Sequence, residues 1–249
     1  MSGHSKWSTI KRQKGVNDSK RSAMFTKVAR EVAVAARAGG GDTDANYRLR
    51  LAIEKARSIN MPAENIKRAI EKATGGGDAE QFEEIVYEGY GPGGVAVLVE
   101  AATDNRNRTA AEVRSMFAKA GGQLAGSGAV AWQFEPRGLI TVNRASTDPD
   151  EIALAAIDAG ATDVDTESDP IEIYTEPADL EAVRKALEEG GLAVEGAENA
   201  MIAKQTVALD ADKVRQALRL IDLLEDLDDV QRVTANFDIP EDVLAEVTG

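Results

Sequence analysis

The sequence predicts an α+β fold: a three-helix N-terminal domain plus two α/β (ferredoxin-like) domains, the last inserted into the middle one. Three observations carry this expectation. Apolar residues recur at helical spacing as far as the run Gly75-Gly76-Gly77, and beyond it short strand-like runs alternate with helical segments. The charge also changes sign at that point. Residues 1–75 hold 16 Lys and Arg against 7 Asp and Glu, residues 76–249 hold 13 against 36, and the 249-residue chain carries −14. The predicted domains are 1–77, then 78–137 with 205–249, and the insertion 138–204.

Residues 1–17 are polar and lack a sustained period, so they read as an arm. A first helix is expected from Asp18 to Ala38, with Phe25, Val28, Val32 and Ala36 on one face and Gly39-Gly40-Gly41 ending it. A second is expected from Asp44 to Ser58, facing inward through Leu49, Ile53 and Ala56. A third starts at Pro62, a favoured first-turn residue, and carries Ile66, Ala69, Ile70 and Ala73. Strands are expected at Ile85–Glu88 and Val95–Ala101 around a glycine-rich turn. Thr109-Ala110-Ala111-Glu112 matches a capping box opening a helix to Ala120. Strands at Ala129–Phe134 and Leu139–Val142 follow. Residues 138–204 then read β-α-β-β-α-β, the ferredoxin-like order. A C-terminal helix (Asp210–Leu224) and strand (Val230–Phe237) complete the sheet begun at Ile85, which makes 138–204 an insertion.

Composition removes several functions. No apolar run approaches the ~18 residues of a membrane span, and the polar, basic start is unlike a signal peptide. The expectation is a cytoplasmic protein that engages no membrane. There is no cysteine, which removes thiolate chemistry, disulfides and cysteine metal sites. His4 is the only histidine, too little for a histidine metal site. Walker A, H-E-x-x-H and G-x-S-x-G patterns are absent. The expectation is therefore a protein that is not an enzyme, with no cofactor, no metal and no small-molecule substrate.

The positive signal is the basic head. Eight Lys and Arg and one acid, Asp18, fall in the first 30 residues. On a helix Lys20, Lys27, Arg30 and Arg37 share one sector, opposite the Phe25/Val28/Val32 stripe. One face builds a core while the other offers phosphate ligands. The candidate nucleic-acid-binding residues are Lys6, Trp7, Lys11, Arg12, Lys14, Lys20, Arg21, Lys27 and Arg30, with Trp7 able to stack on an exposed base.

Two further motifs stand out. Gly89-Tyr90-Gly91-Pro92-Gly93-Gly94 matches G-x-G-x-x-G in letters, but strand follows it where a dinucleotide site needs a helix. A turn is the simpler reading, and a functional loop displaying Tyr90 the other. In Asp104-Asn105-Arg106-Asn107-Arg108-Thr109, two arginines precede a helix start whose dipole they oppose. Either Arg106 and Arg108 hold an anion there, as a second contact, or they pair with Asp104, Glu100 or another acid.

Gly3-His4-Ser5-Lys6-Trp7, the lysine-rich run to Phe25-Thr26-Lys27, Gly39-Gly40-Gly41-Asp42, Tyr87-Glu88-Gly89-Tyr90-Gly91-Pro92-Gly93-Gly94 and Asp104 to Thr109 together resemble the YebC family, over essentially the whole chain. The resemblance implies three domains with the third inserted into the second, and no cofactor or catalytic residue. It implies a transcriptional regulatory, DNA-binding protein. The family also includes mitochondrial translational activators and ribosome-associated members that relieve stalled synthesis. Three functions follow as expectations: a non-enzymatic nucleic-acid-binding regulator of gene expression; a translation factor that binds ribosomal RNA on the ribosome; and an adaptor whose basic head docks acidic proteins. DNA and RNA both stay open as the polymer, because no helix-turn-helix reader is evident and backbone or shape recognition suits either.

Overall fold

A computed structural model describes residues 18–75, 82–144, 147–239 and 243. The described chain forms two compact units: one holds Trp132–Ala208 with Asn236–Ile239, and the other holds the residues up to Ala131 with Leu209–Ala235. The boundary expected at residue 77 lies outside the described residues.

In the second of these units the chain begins with helices α1 (Asp18–Gly39), α2 (Tyr47–Ser58) and α3 (Ala63–Thr74). Val28, Val32, Ala35 and Ala36 of α1 bury against Leu49, Ala52, Ile53 and Ala56 of α2 and Ile66 of α3, with Phe25, Ala69, Ile70 and Ala73 at the margin. This is the stripe that the helical period calls for. The turn from α1 to α2 is built on Asn46. Its side-chain oxygen accepts from Leu49 N at 3.0 Å, capping α2, while its amide donates to the carbonyls of Ala35 and Gly40, each at 2.8 Å. A Cβ on Gly39 would lie 2.7 Å from the Asn46 side chain, and Gly40 has φ +85°, so both positions require glycine.

The same unit carries a four-stranded sheet in the order β3-β1-β2-β9, formed by β1 (Glu83–Tyr90), β2 (Ala96–Thr103), β3 (Gln123–Leu124) and β9 (Val230–Ala235). Strand β2 pairs antiparallel with β1 and with β9. All of β2 but Glu100 is buried, at consecutive positions, so both faces of the sheet are covered there. Helix α1 contacts β2 and β9, while α4 (Arg106–Lys119) and α7 (Ala211–Glu225) contact each other, β1 and β9. The C-terminal strand thus joins the sheet begun at Glu83.

Of the strand expected at Ala129–Phe134, only Phe134 is strand, as the start of β4 (Phe134–Val142); the residues before it form a loop and a 3-10 turn, Ala131–Gln133. Its amides have another partner. The buried Glu88 carboxylate on β1 accepts from Gly128 N at 2.6 Å, Val130 N at 2.7 Å and Ala131 N at 2.8 Å. Burial alone would raise the Glu88 carboxyl; the three amides outweigh it and hold it below the usual carboxylate range.

The other unit contains β4 (Phe134–Val142), α5 (Pro149–Asp158), β5 (Asp163–Asp165), β6 (Ile171–Thr175), α6 (Leu180–Glu189) and β7 (Val194–Ala203). Its sheet runs β5-β6-β4-β7 with every neighbouring pair antiparallel, the ferredoxin-like arrangement. Ile140, Ile152, Ile171, Ile173, Leu180 and Leu187 fill its core. A short parallel pair, β8 (Val207–Ala208) with β10 (Phe237–Asp238), completes it.

Candidate nucleic-acid interface

Of the nine residues expected to bind nucleic acid, Lys6, Trp7, Lys11, Arg12 and Lys14 lie outside the described residues. Lys20 and Arg21 stand on the first turn of α1. Lys27 and Arg30 lie against the segment that joins α7 to β9. The Lys27 ammonium donates to the Glu225 carbonyl, at the C-terminal end of α7 where the helix dipole is negative. The Arg30 guanidinium donates to the Asp228 carbonyl at 2.5 Å and to Asp229 Oδ1 at 2.6 Å, and lies 5.4 Å from the centre of the Phe82 ring. The helical wheel offered these two cations to phosphate; the fold turns both onto its own acceptors. Arg37, from the same sector, stays exposed near the end of α1.

Asp229 gathers more than Arg30. Its carboxylate accepts from Arg108 Nη2 at 2.6 Å, Thr109 Oγ1 at 2.6 Å and Thr103 Oγ1 at 3.1 Å. It is 2% exposed. Burial pushes the Asp229 carboxyl up, yet the Arg108 and Thr109 hydrogen bonds and the charges of Arg30 and Arg108 prevail and hold it below the ordinary range. Arg108 also donates to Asp104 Oδ1 at 2.7 Å. Its hydrogen bonds to Asp229 and Asp104 keep the guanidinium more firmly protonated than usual.

This geometry corrects the expected helix start. The cap of α4 is Asn105, whose side chain accepts from Arg108 N at 3.1 Å, rather than Thr109. Thr109 sits inside the helix and is fully buried, with its hydroxyl spent on Asp229. Of the two alternatives for the arginines, acid pairing describes Arg108. Arg106 differs: its side chain is 69% exposed and its ion pair with Glu83 is long, at 3.7 Å. Only Arg106 of the two stands free enough to meet an external anion.

The glycine-rich motif makes the turn from β1 to β2. Tyr90 ends β1, Pro92–Gly94 form a 3-10 turn, and Gly93 and Gly94 have φ of +78° and +79°. Strand flanks the motif on both sides, so it has no helix N-terminus to offer a dinucleotide. The half-exposed Tyr90 ring is anchored through its hydroxyl, which donates to the Ala129 carbonyl at 3.1 Å. Among the described residues there is no cluster of three or more His, Cys, Asp or Glu suited to a metal, and no helix is long and apolar enough to cross a membrane.

Comparison with known proteins bears on the whole chain. Residues 5–76 match the TACO1/YebC protein N-terminal domain, and residues 82–237 match the TACO1/YebC second and third domain. The chain belongs to the TACO1/YebC family. A relative from Rubrobacter xylanophilus, named "Probable transcriptional regulatory protein", is 54% identical over 250 residues, the full length of both chains. One of the same name from Roseiflexus castenholzii is 55% identical, covering 98% of this chain and 97% of its own. The crystal structure of a conserved hypothetical protein from Aquifex aeolicus superposes with a TM-score of 0.85 at 47% identity, covering 90% of this chain and 93% of that one. The TACO1/YebC N-terminal match begins at Ser5, so it takes in the cations of the arm together with α1, α2 and α3.

The residue that sequence reasoning missed is Asp229. It sits in an acidic stretch, Glu225 to Asp229, in a chain where acids are common, and its partners lie 121 and 199 residues away. The oddly placed arginines at a helix start were the one available signal that a buried acid had to exist somewhere.

Proposed function

We propose that this TACO1/YebC protein is a non-enzymatic regulator of gene expression that binds nucleic acid through its N-terminal module. The observation that carries the reading is the charge asymmetry. Sixteen Lys and Arg against seven acids in residues 1–75 stand out from a chain of net charge −14. Such an excess at one end supplies sequence-tolerant affinity for phosphates, while the acidic remainder repels the polymer and orients the molecule. The absence of cysteine and the single histidine leave little for catalysis. The names of the relatives support regulation of transcription, and DNA is the polymer they favour.

The acting residues in this reading are Lys6, Lys11, Arg12 and Lys14 of the arm with Lys20 and Arg21, and Trp7 as a stacking ring. Lys27 and Arg30 serve chiefly to hold α1 against the sheet. Arg106 offers a minor second contact. The protein works in the cytoplasm. Crosslinking in cells, followed by sequencing of the recovered DNA and RNA, tests the reading. Enrichment of promoter DNA over an untagged control is expected. Enrichment of ribosomal RNA alone would move the protein to translation, and enrichment of neither would contradict nucleic-acid binding.

A further inference from the structure

A groove of about 540 Å3 runs between α1 and α3. Its origin is legible in the residues. On α1, Phe25, Ala29, Ala33 and Arg37 follow at four-residue intervals and so stack along one face. On α3, Ala69 and Ala73 do the same, with Arg68 and Lys72 one position before each. The alanines are too small to close the space between the helices, which leaves an apolar trough with cations along both edges. Phe82, with Arg30 over its ring, forms part of the wall. Among the described residues one acid, Asp104, lines the groove, against Arg30, Arg37, Arg68 and Lys72.

Arg37 and Arg68 are the informative pair. Both are exposed, and neither guanidinium has a hydrogen-bond or ion-pair partner among the described residues. Two exposed arginines on facing helices, without a partner among the described residues, leave a positive edge along the groove. An anionic ligand with flat apolar groups fits this combination. The rings and the guanidinium planes offer stacking surfaces, the alanine floor admits a planar group, and the edges take phosphates.

We propose that this groove seats an unpaired segment of nucleic acid, with bases against the Phe25–Ala33–Ala73 floor and phosphates on Arg37 and Arg68. The proposal rests on the nucleic-acid reading above and narrows it. A duplex keeps its bases stacked inward and presents no free base face to such a floor, whereas loops and single strands are read this way. The basic arm and the groove then divide the work: the arm supplies general phosphate affinity, and the groove distinguishes unpaired from paired polymer.

The test uses the full chain and a fluorescent RNA of about a dozen nucleotides, single-stranded or annealed to its complement. The double variant R37A/R68A should lose roughly ten-fold affinity for the single strand and at most about three-fold for the duplex. These are exposed side chains, so melting temperature should hold. A33F, which fills the groove without removing charge, should weaken the single strand alone; R57A, an exposed cation on α2 outside the groove, should change neither. Equal losses on both polymers, or no loss in a folded R37A/R68A, overturns the groove site while leaving nucleic-acid binding intact. Tighter capture of a labelled Glu-rich amphipathic peptide, lost in R37A/R68A while single-strand affinity is kept, overturns it in favour of a protein ligand. No binding of either polymer by the parent overturns both this proposal and the reading beneath it.

Discussion

The helical module and the ferredoxin-like unit handle charge in opposite ways. Trp132–Ala208 holds 5 Lys and Arg among 17 Asp and Glu. Two of its three arginines find carboxylates close by: Arg184 pairs with Glu181 and Glu188 on its own helix, and Arg137 with Glu135 on its own strand and with Glu176 just past the end of β6. The helical module has more cations than acids. Lys27 and Arg30 reach acceptors some 198 residues away, and Arg37 and Arg68 find no partner among the described residues. The lesson is that a cation's meaning depends on the local balance. In the acidic unit Arg137 and Arg184 are neutralised by nearby carboxylates, while the Arg144 side chain reaches only the Thr166 carbonyl among the described residues; in the helical module part of the cationic surplus is left for something outside the chain.

Asp229→Ala should break this comparison most severely. It removes the buried acceptor shared by Arg30, Arg108, Thr103 and Thr109, and an unpaired buried network of this kind costs about 3 kcal/mol. Urea unfolding would show it as a lower midpoint, and a change below about 0.5 kcal/mol would contradict the assigned role. The pH dependence follows from the same site. The carboxyls of Asp229 and Glu88 are held below their ordinary range in the folded state, so their contribution is fully present above the unfolded carboxyl value. It is lost as pH falls through the folded value. Stability should therefore decline on acidification from about pH 4 downward, and Asp229→Asn with Glu88→Gln should flatten that decline.

The two arginines of the Asp104–Thr109 motif sharpen the comparison. Arg108→Ala should cost about 1 kcal/mol, discounted because its side chain is 42% exposed. Arg106→Ala should change stability by no more than about 0.5 kcal/mol, yet make the salt dependence of nucleic-acid binding shallower by up to about one unit. Equal stability losses from the two would make both structural. The smallest effect belongs to the acidic unit: Arg184→Ala should cost about 0.5 kcal/mol through its lost helical pairs and leave nucleic-acid affinity unchanged.

Local pattern made most of the fold legible. The Val28/Val32/Ala36 stripe is a helical period that burial then obeys. The ferredoxin-like order needed only the succession of such elements. What failed was decided at a distance. Thr109-x-x-Glu112 satisfies the letters of a capping box, but Asn105 caps the helix because Asp229 claims the Thr109 hydroxyl. The strand expected at Ala129 lost its amides to Glu88. Two-residue strands such as β3 and β8 exist only through their pairing and leave no period to detect. The same limit applies to the site. A helical wheel grouped Lys27, Arg30 and Arg37, and nothing within α1 says that an acidic turn nearly 200 residues on takes two of the three.

The central claim is that the surplus cations of the N-terminal module bind phosphate. With Lys27 and Arg30 tethered internally, six candidates remain: Lys6, Lys11, Arg12, Lys14, Lys20 and Arg21. The most direct test is a titration of the full chain against duplex DNA across a range of salt. The logarithm of affinity should fall against the logarithm of salt with a slope of roughly −5, about 0.9 for each phosphate neutralised. A slope near zero, with binding that salt does not weaken, would contradict the account.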